Sequence, residues 1–184
     1  MSEKNFAILG VGNILEKDDG IAIFATAYLE KNYTFNPPIF IKNGGVDGIN
    51  LLNFFTEHKN ILILDAMELD DEAGAIYHIP SHELTGYGVN SGGAHEIGVI
   101  ECLDILELMG KELPNSSILG IVPQSVEIGI GLTQTLEKKF TSYINTVLSI
   151  LQKNSIIATQ NELQTSLEEI IEVFRNPHGN SNYP

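Results

Sequence analysis

The most constraining feature of this chain is a strand-length run that contains no polar residue. The run is Ile61-Leu62-Ile63-Leu64, and Asp65 follows it directly. A strand that is apolar at every position is typical of a central strand in a parallel sheet, because both of its faces must be covered. A second apolar run, Phe6-Ala7-Ile8-Leu9, has the same character. The two runs predict an α/β fold.

Apolar strands alternate along the chain with segments of helical periodicity. Further strands are predicted at 39–41, at 73–79 near a sheet edge, and at 117–122, with helices at about 19–31, 49–57, 95–109 and 133–151. A long loop is expected from 81 to 94. Alternation of this kind predicts βαβ units, and therefore a twisted, mainly parallel sheet with helices on both faces.

The chain has the length of one domain. We expect residues 1–152 of the 184 to form it, and residues 153–184 to be a C-terminal extension, part helical around 162–174 and disordered at its end. The net charge of −14 argues against nucleic acid as a partner, since phosphate is neutralised by basic residues. Without a signal peptide pattern or a membrane-length apolar run, we expect a cytoplasmic protein that does not contact membranes.

A glycine turn follows the first strand. Gly10-Val11-Gly12 is similar to the start of a dinucleotide fingerprint, but Leu15 stands where the third glycine would be. The chain also lacks a Gly-Lys-Ser/Thr phosphate loop near this turn, which disfavours a nucleotide-binding domain. The turn could simply be a tight strand-to-helix connection braced by Asn13.

Polar residues stand at the ends of three predicted strands or loops. Asp18 and Asp19 follow the first strand, Asp65 follows the central strand, and His95 opens a helix after the long loop. Two carboxylates and an imidazole from three junctions would suit Zn²⁺, Ni²⁺, Co²⁺ or Cd²⁺, with positions left for water or substrate. Alternatively, Asp65 could cap a turn and His95 could make a structural hydrogen bond.

Other residues receive structural interpretations. Cys102, the single cysteine, is interpreted as a small core residue, and a lone thiol excludes an intramolecular disulfide. Asp47 is a plausible N-cap. We expect His58, His78 and His82 on the surface. No Gly-x-Ser-x-Gly elbow or His-Glu-x-x-His motif is present.

The motifs occur in an order that resembles one family. They are Gly10-Val11-Gly12-Asn13-Ile14-Leu15-x-x-Asp18-Asp19-Gly20, Asp65 after an apolar strand, Ser91-x-x-x-His95-Glu96-x-Gly98, and Gly120-Ile121-x-Pro123 with Glu127 and Gly129 downstream. Over about residues 5–150 the chain resembles the hydrogenase maturation endopeptidases, which trim the large subunit of [NiFe] hydrogenases.

The resemblance implies a fold and a set of residues. The fold would be a single three-layer α/β/α domain of the phosphorylase/hydrolase-like kind. The residues that contact metal would be Asp19, Asp65 and His95, with Asp18 a less favoured substitute for Asp19, where some members carry Glu. The turn at 44–48 is similar to the family's loop for substrate recognition.

The resemblance also implies an activity. The enzyme would remove a C-terminal extension from the large-subunit precursor after nickel insertion, as an aspartic-type or metal-assisted peptidase. Nickel would come with the substrate, and Zn²⁺ or Cd²⁺ could occupy the site in vitro. Two other classes stay open: a non-catalytic chaperone that senses the nickel-loaded precursor, and a general metal-dependent peptidase or amidohydrolase.

Overall fold

The computed structural model describes residues 6–84 and 94–177, and its centre is a five-stranded sheet with strand order β3-β1-β4-β6-β5. The strands are β1 (Phe6–Val11), β2 (Tyr33–Asn36), β3 (Phe40–Gly45), β4 (Asn60–Ala66), β5 (Ile76–Pro80), β6 (Asn115–Ile121) and β7 (Ile157–Gln160). Strands β3, β1, β4 and β6 are parallel, and β5 pairs antiparallel with β6 at the edge. The predicted mainly parallel sheet, with a strand near its edge at 73–79, is confirmed.

Helices cover both faces of this sheet. They are α1 (Ile21–Asn32), α2 (Leu52–Glu57), α3 (Ser81–Leu84), α4 (Ala94–Leu108), α5 (Gln134–Lys153) and α6 (Leu167–Arg175), with 3₁₀ turns at Lys17–Gly20 and Gly48–Leu51. Helices α1, α5 and α6 contribute to one apolar cluster and helices α2 and α4 to the other. The three-layer α/β/α arrangement is therefore confirmed.

Strand β4 shows why the sequence folds this way. Leu62 and Leu64 are buried in the cluster with α1 and α5, whereas Ile61 and Ile63 are buried in the cluster with α2 and α4. Side chains alternate between the faces of a strand, so an entirely apolar run satisfies both layers. By the same alternation, Asp65 shares the face of Ile61 and Ile63, the face that α4 covers.

Two strands were missed. Strands β2 and β7 form a separate antiparallel ribbon in which Tyr33 pairs with Gln160 and Asn36 with Ile157. Each strand has only four residues and mixes polar with apolar side chains. Its partner lies far away in sequence, so local pattern gives no signal for the pairing.

Two smaller expectations were wrong, and a third was right only in position. Residues Ser81–Leu84, expected in a loop, form the short helix α3; residues 85–93 of that loop lie outside the described part. Asp47 occupies the N-cap position of the 3₁₀ turn at Gly48–Leu51, as predicted, but its side chain makes no capping hydrogen bond. His58, expected on the surface, is buried against the rings of Phe54 and Phe40.

The end of the described chain packs on helix α1. The rings of Phe174 in α6 and Phe24 in α1 lie 5.4 Å apart, edge to face. Asn32, the last residue of α1, donates to the carbonyl of Thr165 and accepts from its amide at 2.9 and 2.7 Å. In the part of the chain described, no helix combines the length and the apolarity needed to cross a membrane.

Candidate active site

Asp19 lies in the 3₁₀ turn that joins β1 to α1. Its side chain is 8% exposed, and its Oδ2 accepts a hydrogen bond of 2.6 Å from the Asn13 amide. Gly12 has φ = +140°, and a Cβ there would lie 2.0 Å from the Asp19 carbonyl oxygen. Only glycine therefore allows the turn to fold back over the aspartate. Asn13 also braces the turn as predicted, accepting the Leu15 amide at 3.0 Å.

Asp65 lies within β4, one residue before the strand ends, rather than after the strand. It is 1% exposed and pairs in register with Gly120 of β6. On the other side of the sheet, the Tyr143 hydroxyl donates to the Leu119 carbonyl at 2.7 Å. Burial raises the pKa of Tyr143 well above its ordinary value, and the negative charge of Asp65 raises it further. A carboxylate at this depth is costly unless it is compensated by a partner or a ligand.

The topology brings the two carboxylates to one edge of the sheet. Strands β1 and β4 are parallel neighbours in which Gly10 pairs with Leu64, the residue before Asp65. The 3₁₀ turn that carries Asp19 contacts β4. Both aspartates therefore lie at the carboxyl ends of adjacent parallel strands, where open α/β sheets bind their ligands.

His95 is the second residue of α4, and its side chain lies outside the described part of the structure. The following turn of the helix is described. Gly98 abuts the turn after β3 so closely that a Cβ on it would lie 2.9 Å from the Gly48 Cα. The Gly12 amide donates to the Gly45 carbonyl at 3.0 Å, which joins that turn to the one after β1. The start of α4 thus lies at the same edge as Asp19 and Asp65.

Asp18 has a role that the sequence did not reveal. The side chain is fully buried, and its Oδ2 accepts the amides of Gln124 and Ser125 at 2.9 and 3.1 Å and the Thr133 hydroxyl at 2.8 Å. Its Oδ1 accepts the Thr133 amide at 2.7 Å. Both oxygens are engaged with the loop after β6, so Asp19 is the better candidate ligand. The partners of Asp18 lie more than 100 positions away, so no local signal identified them.

Comparison with known proteins decides the family. The family model for hydrogenase maturation protease matches residues 24–150. The chain belongs to this family. Among curated relatives, the hydrogenase 2 maturation protease of Escherichia coli K12 is 29% identical over 84% of this chain and 95% of its own length. The hydrogenase expression/formation protein HupD of Rhizobium leguminosarum is 27% identical over 83% of this chain and 76% of its own.

The fold agrees with this assignment. The solved structure of the hydrogenase maturating endopeptidase HybD from E. coli superposes with a TM-score of 0.79 at 28% identity, over 85% of this chain and 98% of that one. Family membership supports peptidase activity in hydrogenase maturation.

Hydrogen bonds join the turn after β1 to the loop after β6 beside the site. The Lys17 amide donates to the Gly129 carbonyl at 2.7 Å, and the Gly129 amide donates to the Leu15 carbonyl at 2.8 Å. Lys17 also pairs with Glu127 at 2.8 Å on the surface. With the bonds to Asp18, these contacts fix the loop that carries Asp19 against the loop after β6.

The donor set of the site is oxygen-rich. Among the residues described, which exclude the His95 side chain, no group of three His, Cys, Asp or Glu is close enough to hold a metal ion. The two carboxylates would offer hard oxygen ligands to a metal ion, and an imidazole would add a borderline one. Cys102 does not take part, as predicted: it is buried, and burial raises the pKa of its thiol to about 11.

Proposed function

We propose that this hydrogenase maturation protease removes a C-terminal extension from the nickel-loaded large-subunit precursor of a [NiFe] hydrogenase, docking on the substrate's nickel through Asp19, Asp65 and His95. One observation carries the proposal. Two nearly buried carboxylates lie at the carboxyl ends of neighbouring strands, at the edge where α4 begins. Negative charge concentrated there favours a cation that completes the site.

In this mechanism the nickel is part of the substrate. Carboxylate oxygens and a neutral imidazole complete its coordination and so orient the nearby peptide bond, which converts a loose encounter into a fixed geometry. The bound ion either polarises the scissile carbonyl or lowers the pKa of a water molecule that attacks it. Asn13 positions Asp19 through its amide, and the depth of Asp65 strengthens its attraction to a cation.

The same donors should also accept other metal ions, and the reaction belongs to a reducing compartment. Zn²⁺ and Cd²⁺ are expected to bind the same donors in vitro, because both accept oxygen and nitrogen ligands. We place the reaction in the cytoplasm, in keeping with a single, buried cysteine and a reducing compartment.

A cleavage assay tests the proposal. Nickel-loaded and nickel-free precursor are each incubated with wild type, Asp19→Asn, Asp65→Asn and His95→Ala. Asp104→Asn, on an exposed face of α4, and His82→Ala, exposed on α3, serve as matched controls. We expect wild type and controls to cut only the nickel-loaded precursor, and the three site variants to leave it intact.

Two results would overturn the proposal in different ways. Cleavage of nickel-free precursor at the normal rate would remove the role of nickel. Binding of the precursor by wild type without cleavage would favour the non-catalytic chaperone instead. Circular dichroism of each variant confirms that a loss of cleavage is not a loss of fold.

A further inference from the structure

Helix α6 brings the C-terminal extension back to the carboxyl end of the sheet. Its start lies beside the end of α1, where the Asn32 side chain bonds both backbone groups of Thr165. Its end lies beside the start of α1, where the Phe174 ring meets the Phe24 ring. The two helices therefore run antiparallel. Because α1 begins directly after the 3₁₀ turn that carries Asp19, α6 ends at the edge of the sheet where the candidate site lies.

The last residue of α6, Arg175, fastens the helix to the loop after β6. It is the only arginine in the sequence, and its Nε donates to the Ile130 carbonyl at 3.0 Å. Gly131, whose φ is +135°, makes room for the guanidinium, since a Cβ there would lie 2.5 Å from Nη2. On the other side, Nη1 lies 3.9 Å from a carboxylate oxygen of Glu172. We call the contact between Arg175 and Ile130 the Arg175 clamp.

Main-chain hydrogen bonds lead from the Arg175 clamp to the turn that carries Asp19. Gly129, the residue before Ile130, accepts from the Lys17 amide at 2.7 Å and donates to the Leu15 carbonyl at 2.8 Å. Asp19 follows Lys17 by two residues in the same 3₁₀ turn. A displacement of the loop at Ile130 would therefore also displace the turn that sets the position of the Asp19 carboxylate.

We infer that Arg175 is a positioning residue: through the loop after β6 it holds the turn that carries Asp19 in the geometry that cleavage requires. The inference rests on the proposed function, which supplies the reaction. Asp18 anchors this loop at Gln124 and Thr133, and Arg175 anchors the stretch between them. The C-terminal extension thus acts on the site through the backbone of a loop rather than through a ligand of its own.

Hydrogen–deuterium exchange of the Lys17 and Gly129 amides tests the Arg175 clamp in the protein alone. Arg175→Met keeps an unbranched side chain but removes the donor, and it should speed the exchange of both amides roughly fivefold, the effect of losing one hydrogen bond. Arg175→Lys should be intermediate, because an ammonium can donate a hydrogen bond but lacks the planar fork of a guanidinium. Lys138→Met, at an exposed position of α5, makes the same change of charge and should exchange like wild type.

Cleavage of the nickel-loaded precursor tests the consequence for the reaction. Arg175→Met should lower kcat/KM roughly fivefold, since a displaced turn holds the reacting bond less well, and Arg175→Lys should recover part of the loss. Ser166→Ala is the control for stability, because it removes the capping box at the other end of α6. It should lower the urea midpoint but leave cleavage and the exchange of the two amides as in wild type.

The outcomes separate the Arg175 clamp from the metal docking. Unchanged exchange in Arg175→Met overturns the clamp even where wild type cuts only the nickel-loaded precursor. Faster exchange with undiminished cleavage also overturns it, because the loop would then move without consequence. A loss of cleavage in Ser166→Ala as large as that in Arg175→Met would assign the effect to stability alone and reject the positioning role. Faster exchange and slower cleavage in Arg175→Met support the clamp, even if wild type cuts nickel-free precursor equally well and the metal docking fails.

Discussion

The two ends of the parallel sheet bury polar groups for different reasons. At the carboxyl end, Asp18, Asp19 and Asp65 are at most 8% exposed. At the amino end, just before β4, one buried polar side chain is that of His58: its ring lies 4.5 Å from that of Phe54, and its Nδ1 lies 2.9 Å from the Phe54 carbonyl oxygen. His58 is stabilised by its own surroundings. Asp18 is likewise held by its own hydrogen bonds, whereas Asp19 and Asp65 place like charges at one edge, an arrangement that a cation would relieve.

Two exposed aliphatic residues, Leu108 and Ile128, also lie at opposite ends of the sheet and in different surroundings. Leu108, at the C-terminal end of α4, is about as exposed as Ile128. Leu108 ends a helix beside Gly110, whose φ of +65° is typical of a helix stop. Ile128 stands on a loop held by main-chain hydrogen bonds next to the carboxylates. Exposure alone does not distinguish the two; rigidity and position do.

The largest expected effect is at Asp65. Replacing it with Asn in the same volume removes the negative charge, and we expect kcat/KM on nickel-loaded precursor to fall at least about a hundredfold because the reacting bond is no longer held in place. Steady-state cleavage measures this, with Asp104→Asn as the control. Activity within a few-fold of wild type would mean that the carboxyl end of the sheet has no more chemical importance than the amino end.

Asp18→Ala should mainly affect stability. The substitution removes a fully buried carboxylate and leaves the amides of Gln124 and Thr133 without their acceptor, so we expect the free energy of unfolding to fall by about 3 kcal/mol. Urea unfolding followed by circular dichroism measures the change, and Asp104→Ala is the exposed control. A loss no larger than that of the control would show that the loops are held by main-chain contacts alone.

His58→Ala should have a smaller effect on stability. Loss of the ring contacts with Phe54 and Phe40 and of the hydrogen bond should cost about 1–2 kcal/mol. We expect kcat/KM for cleavage below the unfolding temperature to match that of wild type, since this residue lies at the other end of the sheet. A catalytic defect in a folded His58→Ala protein would contradict the contrast between the two ends.

The smallest effect is expected at the surface pair of Lys17 and Glu127. The Lys17 ammonium holds the pKa of Glu127 below its ordinary value, first through its hydrogen bond. A lowered folded pKa stabilises the protein above the unfolded pKa and loses that stabilisation as the pH falls through the folded value. Lys17→Met should therefore unfold at a slightly lower urea midpoint than wild type at pH 7. The two midpoints should converge in acid, where the pair no longer stabilises the wild type. A gap that persists at low pH would point to lost packing instead.

The sequence predicts those parts of the fold in which local pattern and tertiary surroundings agree. The run Ile61–Leu64 required two covered faces and has them. Strand β7 could not be found, because its four residues depend on β2, far earlier in the chain. His58 was misplaced because a single histidine carries no sign of the aromatic rings that the fold brings to it.

The location of the candidate site could be predicted from the sequence, but the hydrogen bonds within it could not. Parallel topology requires that residues at the carboxyl ends of β1 and β4 meet at one edge, which the positions of Asp19 and Asp65 show. The family resemblance favoured Asp19 over Asp18 as a candidate ligand, but the hydrogen bonds of Asp18 could not be predicted, since two adjacent aspartates look alike until the loop after β6 folds over one of them.

The contact between Gly98 and Gly48 has a consequence for how the site can change. Helix α4, which carries His95, is spaced from the turn after β3 by two residues that lack side chains. A single methyl group on Gly98 would act as a wedge and tilt the start of the helix outward. The position of this end of α4 is thus set by steric volume, so a neutral, apolar substitution at Gly98 would shift the helix that carries His95 although it changes no charge.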